Sequence, residues 1–183
     1  MKLIIGLGNF QKKYEKTRHN IGFMAIENYC KHKKITLNEE KFNGVYFKNA
    51  DYIIAKPLTN MNLSGKFVSA LVKFYKIDLN DILVIHDDVN FEVGSVKLRT
   101  TGSSGGQNGI RNIMELLKTQ DIKRVKLGIG RDKQMILADY VLSKFNNEEI
   151  KKLPEVFEKT NEIISEFIGG IRYEAIMNLF NKI

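Results

Sequence analysis

Short apolar runs alternate with stretches of helical spacing along the chain. Lys2–Gly6 is a brief apolar run closed by glycine, which reads as a buried strand. Asn20 stands where it could cap a helix running to about Lys31. Val45–Phe47 and Tyr52–Ala55 read as paired strands around a turn near Asn49–Asp51. Between Ser64 and Tyr75, Phe67, Val68, Leu71, Val72 and Tyr75 recur at helical spacing. Ile82–Ile85 is a second continuous apolar strand, with His86–Asn90 expected to form a polar loop after it. Ser95–Arg99 alternates like a half-buried strand, and Thr100–Gly106 reads as a flexible segment before a helix near Asn108–Leu117. Arg124–Gly130 predicts another strand. From Asn147 the period is helical to Ile168, broken at Gly169–Gly170 and resumed to Asn181. No internal repeat or linker interrupts this order. Strands separated by helices predict one α/β domain over residues 1–183, a mixed and mostly parallel sheet flanked by helices on both faces.

Composition narrows the class. With 183 residues and 43% apolar side chains, the chain is long enough for one hydrophobic core and too apolar for disorder. A single cysteine, Cys30, supports neither an internal disulfide nor a Cys-rich zinc site, so a reducing compartment is expected. Within the predicted helix it reads as a buried, inert thiol. No apolar run approaches the ~18 residues that span a bilayer. Lys2–Phe10 briefly resembles a signal peptide, but its apolar part is short and broken by glycine, and the charged run Gln11–Lys16 follows. A cytoplasmic protein is expected. The net charge of +8 is uneven, +9 over residues 1–142 and −1 over 143–183. A basic body fits a polyanionic partner, nucleic acid before membrane.

Several motifs fail on their own requirements. Gly6-Leu7-Gly8 follows a strand, but a dinucleotide fingerprint needs a third glycine where Gln11 stands. Gly65-Lys66 is followed by Phe67, so no phosphate-binding P-loop is present. Gly102-Ser103-Ser104-Gly105-Gly106 matches the spacing of a nucleophile elbow, whose histidine must lie downstream; His19, His32 and His86 all lie upstream of Ser104. His19, Asp87 and Ser104 follow the order of a triad that belongs to an all-β scaffold. His32 sits in the basic run Lys31–Lys34 and reads as a solvated side chain.

Polar residues recur where strands end and helices begin: Asn9, His19, Asn62, His86-Asp87-Asp88 and Asn108. Ligands of open α/β sheets bind beyond the carboxyl ends of the strands, so these side chains could share one cleft. Helix capping would account for each asparagine alone, and a loop carboxylate in water for Asp87. Jointly they suggest hydrolysis by a histidine-activated water. A non-catalytic RNA-binding protein would have the basic cleft without this set, and a serine esterase would depend on Ser104.

The motifs Gly6-Leu7-Gly8-Asn9, Tyr14 with Thr17-Arg18-His19-Asn20-Ile21-Gly22, Lys56-Pro57 with Met61-Asn62-Leu63-Ser64-Gly65, His86-Asp87-Asp88, Gly105-Gly106-Gln107-Asn108-Gly109 and Gly128-Ile129-Gly130 run in order through the chain. In these blocks, over nearly its whole length, the sequence resembles the bacterial peptidyl-tRNA hydrolase family. The resemblance implies His19 as catalytic base and Asp87 as the carboxylate that keeps it basic. It implies Asn9 as the residue that separates blocked peptidyl-tRNA from free aminoacyl-tRNA. Asn62 and Asn108 would hold substrate, water or the carbonyl oxygen, Tyr14 would contact substrate, and Arg99 with Lys126 would clamp tRNA phosphate. Phe10 stands where the family usually has proline. Asn60 replaces a usual aromatic and is kept as a substrate contact through its amide. The resemblance further implies peptidyl-tRNA as partner, a monomer, and no membrane association; the ester chemistry requires no metal and no cofactor.

Overall fold

The computed structural model describes residues 1–182. In chain order the elements are β1 (Lys2–Gly6), α1 (Ile21–Lys33), β2 (Glu39–Lys41), β3 (Gly44–Lys48), β4 (Tyr52–Pro57), α2 (Ser64–Tyr75), β5 (Ile82–Asp88), β6 (Val96–Arg99), α3 (Asn108–Leu117), β7 (Lys123–Gly128), α4 (Leu137–Val141), α5 (Asn147–Ile150), α6 (Leu153–Ile168) and α7 (Tyr173–Phe180). The strands form one sheet in the order β2-β3-β4-β1-β5-β7-β6. Its middle, β4-β1-β5-β7, is parallel; β2 and β3 are antiparallel at one edge and β6 at the other.

Alternation along the central strands sends side chains to two cores. Ile4, Leu83, Ile85, Val125 and Leu127 pack toward α1, α6 and α7. Leu3, Ile5, Ile82 and Val84 pack on the other face with Phe67, Val68 and Leu71 of α2 and Ile110 and Ile113 of α3. Helices therefore cover both faces, as the sequence pattern predicts. The edge strand β6 is closed by a side chain: the Asn181 amide accepts from the Leu98 N–H at 2.9 Å and donates to the Leu98 carbonyl at 3.0 Å. That contact occupies backbone groups which an edge would otherwise offer to another strand.

Three expectations need correction. The segment expected as a polar loop, His86–Asn90, begins as strand: β5 continues through Asp88, and His86, Asp87 and Asp88 are all buried. Pairing with β7 explains this, because His86, Asp87 and Asp88 oppose Lys126, Leu127 and Gly128 in register. The Asn20 side chain does not cap α1. Asn108 is the first residue of α3; the cap is Gln107, whose side-chain oxygen accepts from the Ile110 N–H at 2.8 Å. The strand β2 and the short helix α4 lack a strong enough period to be read from sequence.

The crevice follows from chain order. From β1 the chain crosses toward β4, and from β5 it crosses toward β7, so the connections diverge between β1 and β5. That divergence opens a cleft at the carboxyl ends of the two strands. The start of α1 reaches this point because two glycines let it approach. A Cβ on Gly22 would lie 2.5 Å from the Ile85 carbonyl oxygen, and one on Gly6 would collide with the Gly22 carbonyl. The closeness allows the Phe23 N–H to bond the Leu7 carbonyl at 3.2 Å and the Leu7 N–H to bond that of Ile85 at 2.9 Å.

Candidate active site

His19 lies in a single 3₁₀ turn, Arg18–Asn20, immediately before α1. Its neighbours hold that turn from both sides. Arg18 is buried: its guanidinium makes a double hydrogen bond to Glu149 at 2.8 and 2.9 Å and donates to the Ile129 carbonyl and the Ser143 hydroxyl. The Tyr140 and Phe145 rings lie 4.5 and 5.1 Å from it. Asn20 bridges to the loop after β1, accepting from the Asn9 N–H at 2.8 Å and donating to the Asn9 carbonyl at 2.9 Å.

Glu149→Ala would leave the Arg18 charge buried without its partner. Loss of one member of a buried pair costs about 3 kcal/mol or more. For a chain of this size that lowers Tm by roughly 6–12 °C, measurable by calorimetry. The Glu149 carboxyl is held below its ordinary range although its burial acts to raise it, because Arg18, the Asn146 N–H and Lys152 favour the charge. This contribution is present above the unfolded carboxyl pKa and disappears as pH falls through the depressed folded value. A Tm difference from Glu149→Ala that stayed constant into strong acid would contradict this account.

The centre of the site is the pair His19–Asp87, with Nδ1 2.8 Å from Asp87 Oδ2. A carboxylate accepts, so Nδ1 carries the proton and Nε2 keeps its lone pair. Burial alone would lower the imidazole pKa, but the charge and hydrogen bond of Asp87 outweigh it and raise the value above 6.5. The other Asp87 oxygen, Oδ1, accepts from Gln107 Nε2 at 3.0 Å, while Gln107 Oε1 is held by the start of α3. Asp87 is thus bracketed at the end of a strand, 3% exposed, rather than solvated in a loop.

Asn9 is buried beside this pair. Its Oδ1 accepts from the Met61 N–H at 2.7 Å, which leaves Nδ2 as the hydrogen-bonding group the side chain still offers. Gln107 Nε2 lies 3.1 Å from Met61 Sδ, so one network joins Asn20, Asn9, Met61, Gln107, Asp87 and His19.

His19, Asp87 and Asn108 line one cleft of about 340 Å³, whose far wall is Leu137, Ala138 and Val141 of α4. Asn9 lines an adjoining depression with Phe10 and Lys56. Asn62 is exposed on the 3₁₀ turn Met61–Leu63, and Asn60, also exposed, precedes that turn. Tyr14 is half-buried in the turn Lys12–Tyr14, its carbonyl accepting from the Thr17 N–H and hydroxyl. Neither Asn60 nor Tyr14 lines the His19 cleft.

Ser104 lines the cleft as well, but it sits in the loop between β6 and α3, where its Oγ accepts from the Gly106 N–H at 3.3 Å. This is no strand-to-helix elbow. His86 is fully buried and donates from Nδ1 to the Asp87 carbonyl at 2.7 Å; burial, with the nearby Arg124 charge, pushes its pKa down to about 4. It is therefore neutral at physiological pH. Burial pushes the Cys30 thiol up to about 11, which leaves it inert. Among the described residues no group of three or more His, Cys, Asp or Glu side chains could hold a metal ion.

Arg99 and Lys126 share one face of the β6–β7 pair. Lys97 opposes Lys126 and Arg99 opposes Arg124, so the two are diagonal neighbours about 7–8 Å apart at Cβ. Arg124 is folded under the following loop, donating to the carbonyls of Thr101, Gly102 and Ser103. Arg99 is exposed, whereas Lys126 Nζ lies 2.6 Å from Asp88 Oδ2. Counting strands and residues, Arg99 is roughly 14 Å from Asp87 along the sheet.

Sequence reasoning overlooked Arg18, Glu149 and the α4 wall, and it assigned Gln107 no role. The signal for Gln107 was present, a polar residue directly before a helix. The Arg18–Glu149 pair spans 131 positions and leaves no local trace.

The sequence model of the family described as peptidyl-tRNA hydrolase matches residues 3–183. A peptidyl-tRNA hydrolase of Metamycoplasma arthritidis is 47% identical over 182 residues, covering 99% of this chain and 98% of its own length. One from Bacillus cereus is 46% identical over 187 residues, covering 100% of both chains. The crystal structure of peptidyl-tRNA hydrolase from Acinetobacter baumannii superposes with a TM-score of 0.91 at 31% identity, covering 100% of this chain and 95% of that one. Shared sequence over the full length and a shared fold agree, and the chain belongs to the peptidyl-tRNA hydrolase family.

Proposed function

We propose that this enzyme hydrolyses the ester joining peptide to tRNA by means of a water that His19 activates. The 2.8 Å contact between His19 Nδ1 and Asp87, at the crevice between β1 and β5, carries the reading. His19 Nε2 takes a proton from water as the oxygen attacks the ester carbonyl. Asp87 holds the tautomer and stabilises the imidazolium that forms. Amide donors of Asn9, Asn62 and Asn108 stand for the carbonyl, the developing oxyanion or the water. An ester has a better leaving group than an amide, so no covalent nucleophile is required. Tyr14 and Asn60 are proposed as outer substrate contacts, and the chain as a cytoplasmic monomer. The test is release of peptide from N-acetyl-aminoacyl-tRNA by the purified protein. Absence of release from a folded preparation would end the proposal.

Asn9 is proposed to separate blocked from free substrate. With Oδ1 occupied by Met61, the side chain offers Nδ2–H, which pairs with a carbonyl oxygen of the blocked substrate and opposes a free ammonium. A mispaired polar site of this kind can discriminate by up to ~10⁴-fold. Asn9→Asp replaces the donor with an anionic acceptor and should narrow the ratio of kcat/KM between N-acetyl and free aminoacyl-tRNA. An unchanged ratio would place discrimination elsewhere.

Arg99 and Lys126 are proposed as a phosphate clamp remote from the ester. Replacing both by alanine should raise KM for full-length peptidyl-tRNA and leave turnover at saturation nearly intact, because only remote binding is lost. A minimal substrate lacking the tRNA body should barely respond. Equal losses on the two substrates would remove the clamp from the account.

A further inference from the structure

The lysine of the proposed clamp already has an anionic partner. Lys126 Nζ lies 2.6 Å from Asp88 Oδ2 and 5.2 Å from the centre of the Phe91 ring, and its side chain is 16% exposed. The Asp88 side chain is 5% exposed, and its Oδ1 accepts from the Asn90 N–H at 2.8 Å and from Asn90 Nδ2 at 2.9 Å. Burial acts to raise the Asp88 carboxyl pKa, but Lys126 and Asn90 together hold it below the ordinary range. Asp88 is therefore a fixed negative charge in the unliganded protein.

We infer that Asp88 is a built-in competitor for the phosphate site at Lys126, a specificity-determining residue that weakens retention of an anion held by charge alone. The inference rests on the phosphate-clamp reading above. A phosphate that approaches Lys126 meets a neutral pair. Binding leaves one ammonium shared between two anions, so one net negative charge remains and the counterions that a free lysine would displace are not released. A tRNA is then held by the sum of Arg99, the cleft and its peptide, while deacylated tRNA, which lacks the peptide, is held less and leaves more readily. The same arrangement changes how Lys126→Ala must be interpreted. It deletes the cation and also leaves the Asp88 charge facing the phosphate, so its effect exceeds the contribution of the clamp.

The experiment is a titration of deacylated tRNA against the wild-type protein, Asp88→Asn, Lys126→Ala and the double variant, across a series of salt concentrations. Asp88→Asn should bind about fivefold tighter near 0.1 M salt, and its log–log salt slope should be steeper by roughly 0.7–0.9, the increment for one additional neutralised phosphate. The double variant should lose both gains. Unchanged or weaker binding by Asp88→Asn at the wild-type slope would overturn the inference and make Asp88 a residue that only secures the turn at Asn90. Persistence of the gain in the double variant would also overturn it, since the gain would not act through Lys126. If Lys126→Ala and the double variant both bind like wild type, the clamp reading itself fails. If Lys126→Ala weakens binding but Asp88→Asn does not tighten it, only the inference about Asp88 fails. Should Asp88→Asn not fold, nitrogen NMR of the Lys126 ammonium in wild-type protein decides. Its signal should move on adding deacylated tRNA as carboxylate is exchanged for phosphate, and an unmoved signal alongside saturable binding would overturn the inference.

Discussion

A folded His19→Ala variant should lose about 3–5 kcal/mol of transition-state stabilisation, or roughly 10²–10⁴ in kcat/KM on N-acetyl-aminoacyl-tRNA. The loss should fall mainly on kcat, because the imidazole acts on water rather than on the bound tRNA. Its pH profile gives a second check. The base must be unprotonated, and Asp87 raises the imidazole pKa above 6.5 despite burial. In wild-type protein, log kcat/KM should therefore fall toward acid with a midpoint above 6.5. The stability contribution of the pair has the opposite dependence: it is fully present below the unfolded histidine pKa and lost as pH rises through the folded one. His19→Ala should cost more stability in mild acid than in mild base. Near-normal turnover by the folded variant would remove His19 from its assigned role.

Asp87→Asn has the second largest expected effect, and the surrounding hydrogen bonds decide why. Gln107 Nε2 donates to Oδ1, so the amide oxygen of an introduced asparagine stays on that side and its NH₂ turns toward His19. An amide donor facing Nδ1 makes that nitrogen the acceptor and moves the proton to Nε2, the atom that must accept from water. Turnover should drop by about 10²–10⁴-fold with little loss of structure. Removing the Asp87 charge and hydrogen bond leaves burial as the main influence on the imidazole, so the acid limb of the remaining activity should move below 6.5. Ser104→Ala should leave the rate nearly unchanged, since its hydroxyl only accepts from the Gly106 N–H within its loop. Activity that survived Asp87→Asn and vanished in Ser104→Ala would replace the water mechanism with a covalent one.

Much of the frame was legible residue by residue. The run Lys2–Gly6 and the helical spacing from Ser64 to Tyr75 match β1 and α2 at both ends, because a buried strand and a two-turn apolar stripe each leave a local period. The extension of β5 through Asp88 was not legible, because local polarity argued for a loop while pairing with β7 across 38 or more positions held it as strand. Asn20 was misread for a related reason. Capping is the local use of an asparagine before a helix, but its amide is held instead by both backbone groups of Asn9.

By itself, the sequence determined the α/β order of elements, the glycines that let α1 meet the strand ends, and the residue types available for acid–base chemistry. Each depends on neighbours within a few positions or on motifs contiguous in the chain. Tertiary structure alone decided which of those side chains act together. His19 and Asp87 are 68 residues apart, Gln107 reaches Asp87 over 20, and Asn9 is oriented by a backbone group 52 positions away. The same is true of charge. The sequence contains Lys126 as one more basic residue, and only folding places it 2.6 Å from a buried carboxylate that neutralises it. Hydrogen bonds and ion pairs act over a few ångströms, and the sheet brings such distances about between residues that no local pattern connects.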